Sequence, residues 1–359
     1  MINTYPTYYK KFKCIADKCP DTCCAGWEVV VDPESLEKYK ALKGAYADKI
    51  NNLTAVDDDG DTVFISKNKC CPFLLESGLC EMYTELGESY LCRTCKQFPR
   101  HKIYFGARVE TGISLSCPEA ARLITESSDP ITFESEEIHA EILPTAIDPN
   151  SYFTLLAARK TAINILQNRK FSIENRIIAF LEFSAAVQLC LRKKEFEKAK
   201  EISADSFLNA AHSEHSPKRA KRAIKKIFSD CKNLEMLDSS WLSKLEKAEI
   251  AQIPSCSGFE WEFEHIMVYF VFRYFMAAVF DGDLLTKSKL AAVSFIVIRR
   301  LQAETFSDKQ ARINAMQKYS KEVEHSAQNM EYLRIQMKKS RFYSVENIAN
   351  ILSSKEEIK

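Results

Sequence analysis

The chain has 359 residues, enough to bury a large core and to form two domains. Its 50 lysines and arginines nearly balance 49 aspartates and glutamates, for a net charge of +1, so no global field points to nucleic acid or to a membrane surface. Only nine glycines occur, and none falls in a G-x-G-x-x-G or G-x-x-x-x-G-K pattern, which excludes the usual glycine-rich nucleotide loops.

The segment Met1–Lys11 has neither the apolar stretch nor the small-residue cleavage site of a secretory signal. The most apolar stretch, Met267–Phe280, contains Arg273 and falls short of the roughly 20 residues that span a bilayer, so it reads as a buried core helix. A cytoplasmic location with reduced thiols is therefore expected, with neither a membrane nor a nucleic-acid partner.

Residues 1–130 are turn-rich. Asp32-Pro33-Glu34 is a helix start, with a capping carboxylate followed by proline. Leu36, Tyr39, Leu42, Tyr46 and Ile50 continue at helical spacing, predicting one helix that ends before the acidic run Asp57–Asp61. That run fails the calcium-loop template, because aligning Gly60 to the loop glycine puts Ala55 at the first ligand position. It reads as a turn before a strand over 62–66. A hairpin is expected from Ile103–Gly106 and Val109–Leu115. After Ser127-Ser128-Asp129-Pro130 the texture changes. Segments near 151–169, 173–193, 218–229, 259–280, 286–305 and 308–330 carry helical apolar spacing, predicting a domain of six to eight helices over 131–359. The fold class is mainly α: a small, irregular, cysteine-rich α+β domain over 1–130, then an all-helical domain.

Lys218, Arg219, Lys221, Arg222, Lys225 and Lys226 alternate with Ala220, Ala223, Ile224 and Ile227. Without interleaved aromatics, this reads as an amphipathic helix with a solvated basic face. Glu136/His139, Glu262/His265 and Glu322/His325 have the i, i+3 spacing used by di-iron bundles, a spacing that arises by coincidence in a glutamate-rich chain.

Ten of the 13 cysteines lie in the first third of the chain, in tight groups: C-x4-C-x3-C-C from Cys14 to Cys24, C-C-P-F-L around Cys70 and Cys71, then Cys80, C-x2-C at Cys92 and Cys95, and S-C-P at Cys117. Clustered thiols in a reducing compartment hold a metal or an iron–sulfur cluster rather than disulfides. A structural zinc takes four ligands at about 2.3 Å, and a cubane takes up to four thiolates, so the candidates exceed one site. Spacing alone leaves the metal open. Cys190, Cys231 and Cys256 stand apart and read as packing residues.

Phe12-Lys-Cys14, Cys19-Pro-Asp-Thr-Cys23-Cys24-Ala-Gly-Trp27, Cys71-Pro-Phe-Leu, Gly78-Leu-Cys80, Leu86-Gly-Glu88, Cys92-x-x-Cys95-x-x-Phe98-Pro-Arg100 and Ser116-Cys117-Pro-Glu-Ala-Ala-Arg122 resemble the flagellin lysine-N-methylase (FliB) family. The first groups also resemble the YkgJ-type zinc- or iron-chelating domain. The resemblance covers residues 5–125 and implies a bacterial cytosolic enzyme that methylates lysine side chains of flagellin. It would use S-adenosylmethionine and carry a cysteine-ligated [4Fe-4S] cluster, with zinc as the alternative. It carries the metal role to Cys14, Cys19, Cys23, Cys24, Cys71, Cys80, Cys92, Cys95 and Cys117, and names no catalytic or cofactor-binding residue. The radical S-adenosylmethionine signature C-x3-C-x2-C is not matched, because Cys23 is followed at once by Cys24. The aromatic segment Trp261–Phe280, with Glu260, Glu262 and Glu264, is the candidate lining for a lysine pocket. The competing expectation is a non-catalytic binding protein whose metal only staples the N-terminal domain.

Overall fold

The computed structural model describes residues 1–354 apart from 27–28, 58–59, 68–69, 141, 143–144, 210–215, 254–255 and 257. Trp27, Asp58 and Asp59 thus lie outside the described residues.

Strand β1 (Ile2–Pro6) opens the chain, followed by helices α1 (Pro33–Ala41) and α2 (Ala45–Asn52). Asp32 caps α1 through the Ser35 amide, with Pro33 in the first turn. The single helix expected here is interrupted at Gly44, whose φ of 88° leaves the helical region. A short hairpin of β2 (Thr54–Val56) and β3 (Thr62–Phe64) follows, then α3 (Glu81–Leu86) and α4 (Arg93–Gln97).

The expected second hairpin is present as β4 (Arg100–Phe105) and β5 (Arg108–Ile113), and α5 (Pro118–Ile124) and β6 (Phe133–Glu137) come next. β1 pairs with β5 in parallel and with β6 antiparallel, giving a four-stranded sheet ordered β4-β5-β1-β6. This sheet was not expected from the sequence. Its outer member β6 follows the composition change at residue 130, and Glu136 lies on it, so the first Glu-x-x-His pair is not helical.

The remainder is helical: α6 (Pro149–Leu166), α7 (Ile173–Lys193), α8 (Phe196–Lys200), α9 (Asp205–Leu208), α10 (Pro217–Lys232), α11 (Trp241–Ile250), α12 (Glu260–Tyr274), α13 (Ala278–Asp281), α14 (Leu284–Leu301), α15 (Lys309–Val323), α16 (Ala327–Lys339) and α17 (Val345–Ser353). Side-chain caps mark many starts, among them Asp148, Ser172, Asp283, Asp308, Ser326 and Ser344. The Ser326 cap divides the single helix expected over 308–330 into α15 and α16. Among the described residues the helices outnumber the expected six to eight, because α8, α9 and α13 are too short to show a period.

Helices α12 and α14 are apolar nearly all round and buried along most of their length, the pattern of central helices. The helical run Glu260–Asp281 is 22 residues long, longer than the apolar stretch read from the sequence, and is long and apolar enough to cross a membrane. Of its apolar window, 72% is buried inside the protein, so it serves here as a core helix. On α10, Ala220, Ala223, Ile224 and Ile227 are buried while Lys221, Arg222 and Lys225 face solvent.

Among the described residues, apolar packing forms two clusters. The large one joins the helices to the sheet and α5 through Phe105, Ile113, Leu115, Ala120, Ala121 and Ile124. The small one is built from Val29, Val31, Tyr39, Ile50, Phe64, Phe73 and Met82, together with Cys71 and Cys92. The buried Arg159–Glu110 pair ties α6 to β5.

Candidate functional site

The cysteine segments are short, and their thiols are placed by turns and helix starts. Cys80, Cys92 and Cys117 each precede the first residue of a helix, α3, α4 and α5 respectively. At that position backbone N–H groups and the helix dipole favour a thiolate. The Cys71 amide donates to the Cys24 carbonyl at 2.7 Å, fixing the C-C-A-G turn against the C-C-P-F-L segment.

The thiols fall into two neighbourhoods. Cys23 lies within electrostatic reach of Cys14, Cys19 and Cys117. Cys24 contacts Cys23 and Cys80 and lies near Cys71, which in turn is near Cys80 and Cys92. Cys92 and Cys95 are 3.5 Å apart, sulfur to sulfur, one α4 turn bringing them together. Their mutual contact pulls Cys92 down to about 7 and pushes Cys95 up. Burial raises Cys71 and Cys117 to about 11, and contact with Cys23 raises Cys24 to about 12. Crowded thiols cannot all ionise without a cation among them, and a bound metal ion removes that barrier.

Among the described residues, no three thiols, imidazoles or carboxylates stand in the arrangement of a formed metal site. What fits a metal is the donor chemistry: soft sulfurs in two crowded groups, several of them already in contact. Cys190, Cys231 and Cys256 are buried away from these groups, in or beside the helical core.

The loop of Cys19, Cys23 and Cys24 is held from the helical side. Lys321 on α15 reaches both Asp21 carboxylate oxygens at 2.9 Å and donates to the Thr22 carbonyl at 2.9 Å. Gln317, one turn earlier, donates to Asp21 and to the Ser116 carbonyl, both at 2.8 Å. Ala120 and Ala121 of the S-C-P-E-A-A-R motif are fully buried, with α5 packed on α15. Sequence reasoning missed this clasp; the i, i+4 spacing of Gln317 and Lys321 was its only signal.

Beside the same loop opens a cleft of about 520 Å³. Pro20, Asp21, Pro118, Trp241, Lys244 and Lys247 are among the residues that line it. Clefts of roughly 300–1,000 Å³ hold small molecules and cofactors.

The carboxylates named for a lysine pocket are committed elsewhere. Glu262 makes a two-pronged pair with Arg312 at 2.8 Å, and Glu264 one with Arg169 at 2.8 Å while also accepting from Arg176. Glu260 lies 3.5 Å from Arg176. These pairs brace α12, and none of the three is a free base. The two helical Glu-x-x-His pairs are likewise occupied: His265 Nδ1 is 2.8 Å from the Ile124 carbonyl oxygen, and Glu322 accepts the Leu237 and Asp238 amides.

Residues 159–351 match the FliB lysine N-methylase C-terminal domain, a span of more than half the chain. The chain belongs to the FliB lysine N-methylase family. The match falls on the helical part, not on the cysteine segments that carried the resemblance in the sequence. The chain is similar to the lysine-N-methylase of Salmonella typhimurium (strain LT2), with 25% identity over 198 residues, 50% of this chain and 46% of that protein. The lysine-N-methylase of Salmonella choleraesuis is 26% identical over 191 residues, again 50% and 46% of the two chains. The flagellar biosynthetic protein FliU of Salmonella muenchen is 32% identical over 132 residues, 35% of this chain and 78% of that one. The chain thus spans about half the length of the curated lysine-N-methylases it matches. No solved structure matches it.

Proposed function

We propose that the protein transfers a methyl group from S-adenosylmethionine to the amine of a lysine side chain, with flagellin as the protein substrate. The observation that carries this reading is the family match over residues 159–351. The names of the relatives, lysine-N-methylase and flagellar biosynthetic protein, support the reaction and a flagellar protein substrate.

The chemistry needs no radical. A neutral amine attacks a sulfonium methyl directly, so the enzyme's task is to align the two and to remove the amine's proton. Presenting neutral lysine at pH 7 against a pKa of about 10.4 costs roughly 4–5 kcal/mol, which a desolvated seat with a proton acceptor reduces. The cleft beside Cys19 and Cys117 has the size for the cofactor, and Lys244 and Lys247 in its lining carry positive charge that would suit the cofactor's carboxylate. Cys14, Cys19, Cys23 and Cys117 would hold one metal or cluster, and Cys24, Cys71, Cys80, Cys92 and Cys95 another. A bound centre would supply cross-links between these short segments. A [4Fe-4S] cluster gives a brown protein absorbing near 400 nm; zinc gives a colourless one.

Equilibrium titration with S-adenosylmethionine tests the cofactor assignment. The wild-type chain should bind it, and Lys244→Glu with Lys247→Glu should weaken binding about ten-fold or more by reversing two charges. Absence of saturable binding to the metal-loaded protein would move the reading to a non-catalytic binding protein.

A further inference from the structure

Two tyrosines of α12 meet on one carboxylate from outside that helix. Tyr269 Oη and Tyr274 Oη donate to Glu324 Oε2 at 3.0 and 2.6 Å, and Arg273 Nε lies 3.4 Å from the same oxygen. Glu324 stands at the C-terminal end of α15. The Arg273 guanidinium lies 5.9 and 5.4 Å from the Tyr269 and Tyr274 ring centroids and donates to Tyr269 Oη at 3.1 Å. The Leu115 amide also donates to Tyr269 Oη, so that hydroxyl is fully engaged and held in place. Tyr8 and His101, from the sheet side, are close enough to Arg273 to feel its charge.

One feature of this group asks for a ligand. Glu324 Oε2 takes every contact, while Glu324 Oε1 is buried and has no hydrogen-bond partner among the described residues. A buried carboxylate oxygen without a donor is costly. The Glu324 side chain is 1% exposed and that of Arg273 is 16% exposed, so the cation lies nearer solvent than the carboxylate. Two aromatic faces and a carboxylate around a cation make a seat for a cation, and Arg273 shows that this one accepts it.

We propose that Tyr269, Tyr274 and Glu324 form the seat for the lysine amine that receives the methyl group, with Arg273 as an internal occupant displaced when substrate enters. This rests on the methyltransferase reading above, and the cofactor would reach the seat from the cleft along α15, whose Gln317 and Lys318 line the cleft and whose C-terminal end carries Glu324. The ammonium of the incoming lysine donates to Glu324 Oε1 and gives up one proton there. The nitrogen lone pair then forms the new N–C bond to the sulfonium methyl, and the electrons of the breaking C–S bond return to sulfur. The products are a protonated methyl-lysine and the neutral thioether S-adenosylhomocysteine, and Glu324 passes its proton to water when the product leaves. The two tyrosine hydroxyls hold the carboxylate so that Oε1 faces the amine.

The test uses the full chain and a product-like probe, Nα-acetyl-Nε-methyl-lysine methylamide, with the norleucine analogue as its uncharged control, and follows binding by ligand-observed NMR. The lysine probe should saturate and the control should not. Arg273→Gln should tighten binding about ten-fold by removing the internal competitor, and Glu324→Gln and Tyr274→Phe should each weaken it about ten-fold. Thermal melts check that each variant is folded. If Arg273→Gln does not fold, Tyr274→Phe, which loses one hydroxyl, decides alone. Binding unchanged in Tyr274→Phe, or no preference over the norleucine control, overturns the seat. Methyl transfer by a protein whose probe binding ignores these variants refutes the seat and leaves the methyltransferase reading standing. Probe binding with the expected order but no methyl transfer refutes that reading and leaves the seat.

Discussion

Cys23 and Cys24 are adjacent in the chain and their thiols touch, but their other neighbours differ: Cys23 lies among Cys14, Cys19 and Cys117, whereas Cys24 touches Cys80 and lies near Cys71. A turn at this pair therefore divides the cysteines into two groups that share one boundary. Replacing Cys23 or Cys24 by Ser should each lower the bound metal, measured by elemental analysis, because a hydroxyl stays protonated where a thiolate would ligate. Cys190→Ser, buried in the helical part, should leave metal content unchanged. Equal loss from all three would show that the grouping has nothing to do with metal.

Metal removal should act locally. The cluster of Val29, Tyr39, Ile50, Phe64 and Phe73 is small and takes Cys71 and Cys92 as members, so metal cross-links through sulfur would stand in for missing core. After chelation, hydrogen exchange should lose protection across α1–α4 while α12 and α14, buried along most of their length, keep theirs. Unchanged protection in α1–α4 contradicts a structural role for the metal.

Much of this was legible in the sequence. The capping carboxylate before α1, the β4–β5 hairpin and the long helices α6, α7, α10 and α14 all follow from residue pattern. What escaped notice depends on distant pairing. β1 and β6 are five residues each and are separated in the chain by residues 7–132, so neither shows as a strand until the other is beside it. The site is similar. Tyr269 and Tyr274 were visible as part of an aromatic segment, but their carboxylate is Glu324, some fifty residues on, and not the neighbouring Glu262 or Glu264, which pair with arginines. Ion pairing occupies Glu262 and Glu264, which their place in the sequence does not reveal.

The C-C-A-G turn carries its own prediction. Gly26 has φ of 101°, and a Cβ there would lie 2.9 Å from Leu237 Cδ1. Gly26→Ala meets both backbone strain and a clash, and should cost about 1–3 kcal/mol in a denaturant melt. A neutral effect would show that the loop does not dock against Leu237.

Asp32 links α1 to α4. Its carboxylate accepts from the Ser35 amide at 3.0 Å and from the Arg93 amide at 2.7 Å. Burial alone would raise its pKa, but these N–H donors outweigh that and hold it at about 2, below the ordinary 3.8. A depressed carboxylate stabilises the fold fully above its unfolded pKa, and this stability is lost as pH falls through the folded value. Asp32→Ala should therefore cost about 1 kcal/mol at neutral pH. Its deficit relative to wild type should shrink as pH falls from 3.8 to about 2. A deficit independent of pH over that range, in urea melts, contradicts the charged cap.

The most direct test of the central claim is methyl transfer itself. Purified, metal-loaded protein is incubated with methyl-labelled S-adenosylmethionine and unassembled flagellin, and the products are mapped by mass spectrometry across pH. The account predicts label on lysine side chains, S-adenosylhomocysteine in equal amount, no 5′-deoxyadenosine, no need for an electron donor, and a rate that rises with pH as the amine deprotonates. The appearance of 5′-deoxyadenosine would replace direct displacement by a radical route, and unlabelled lysines in the presence of bound cofactor would contradict the methyltransferase account altogether.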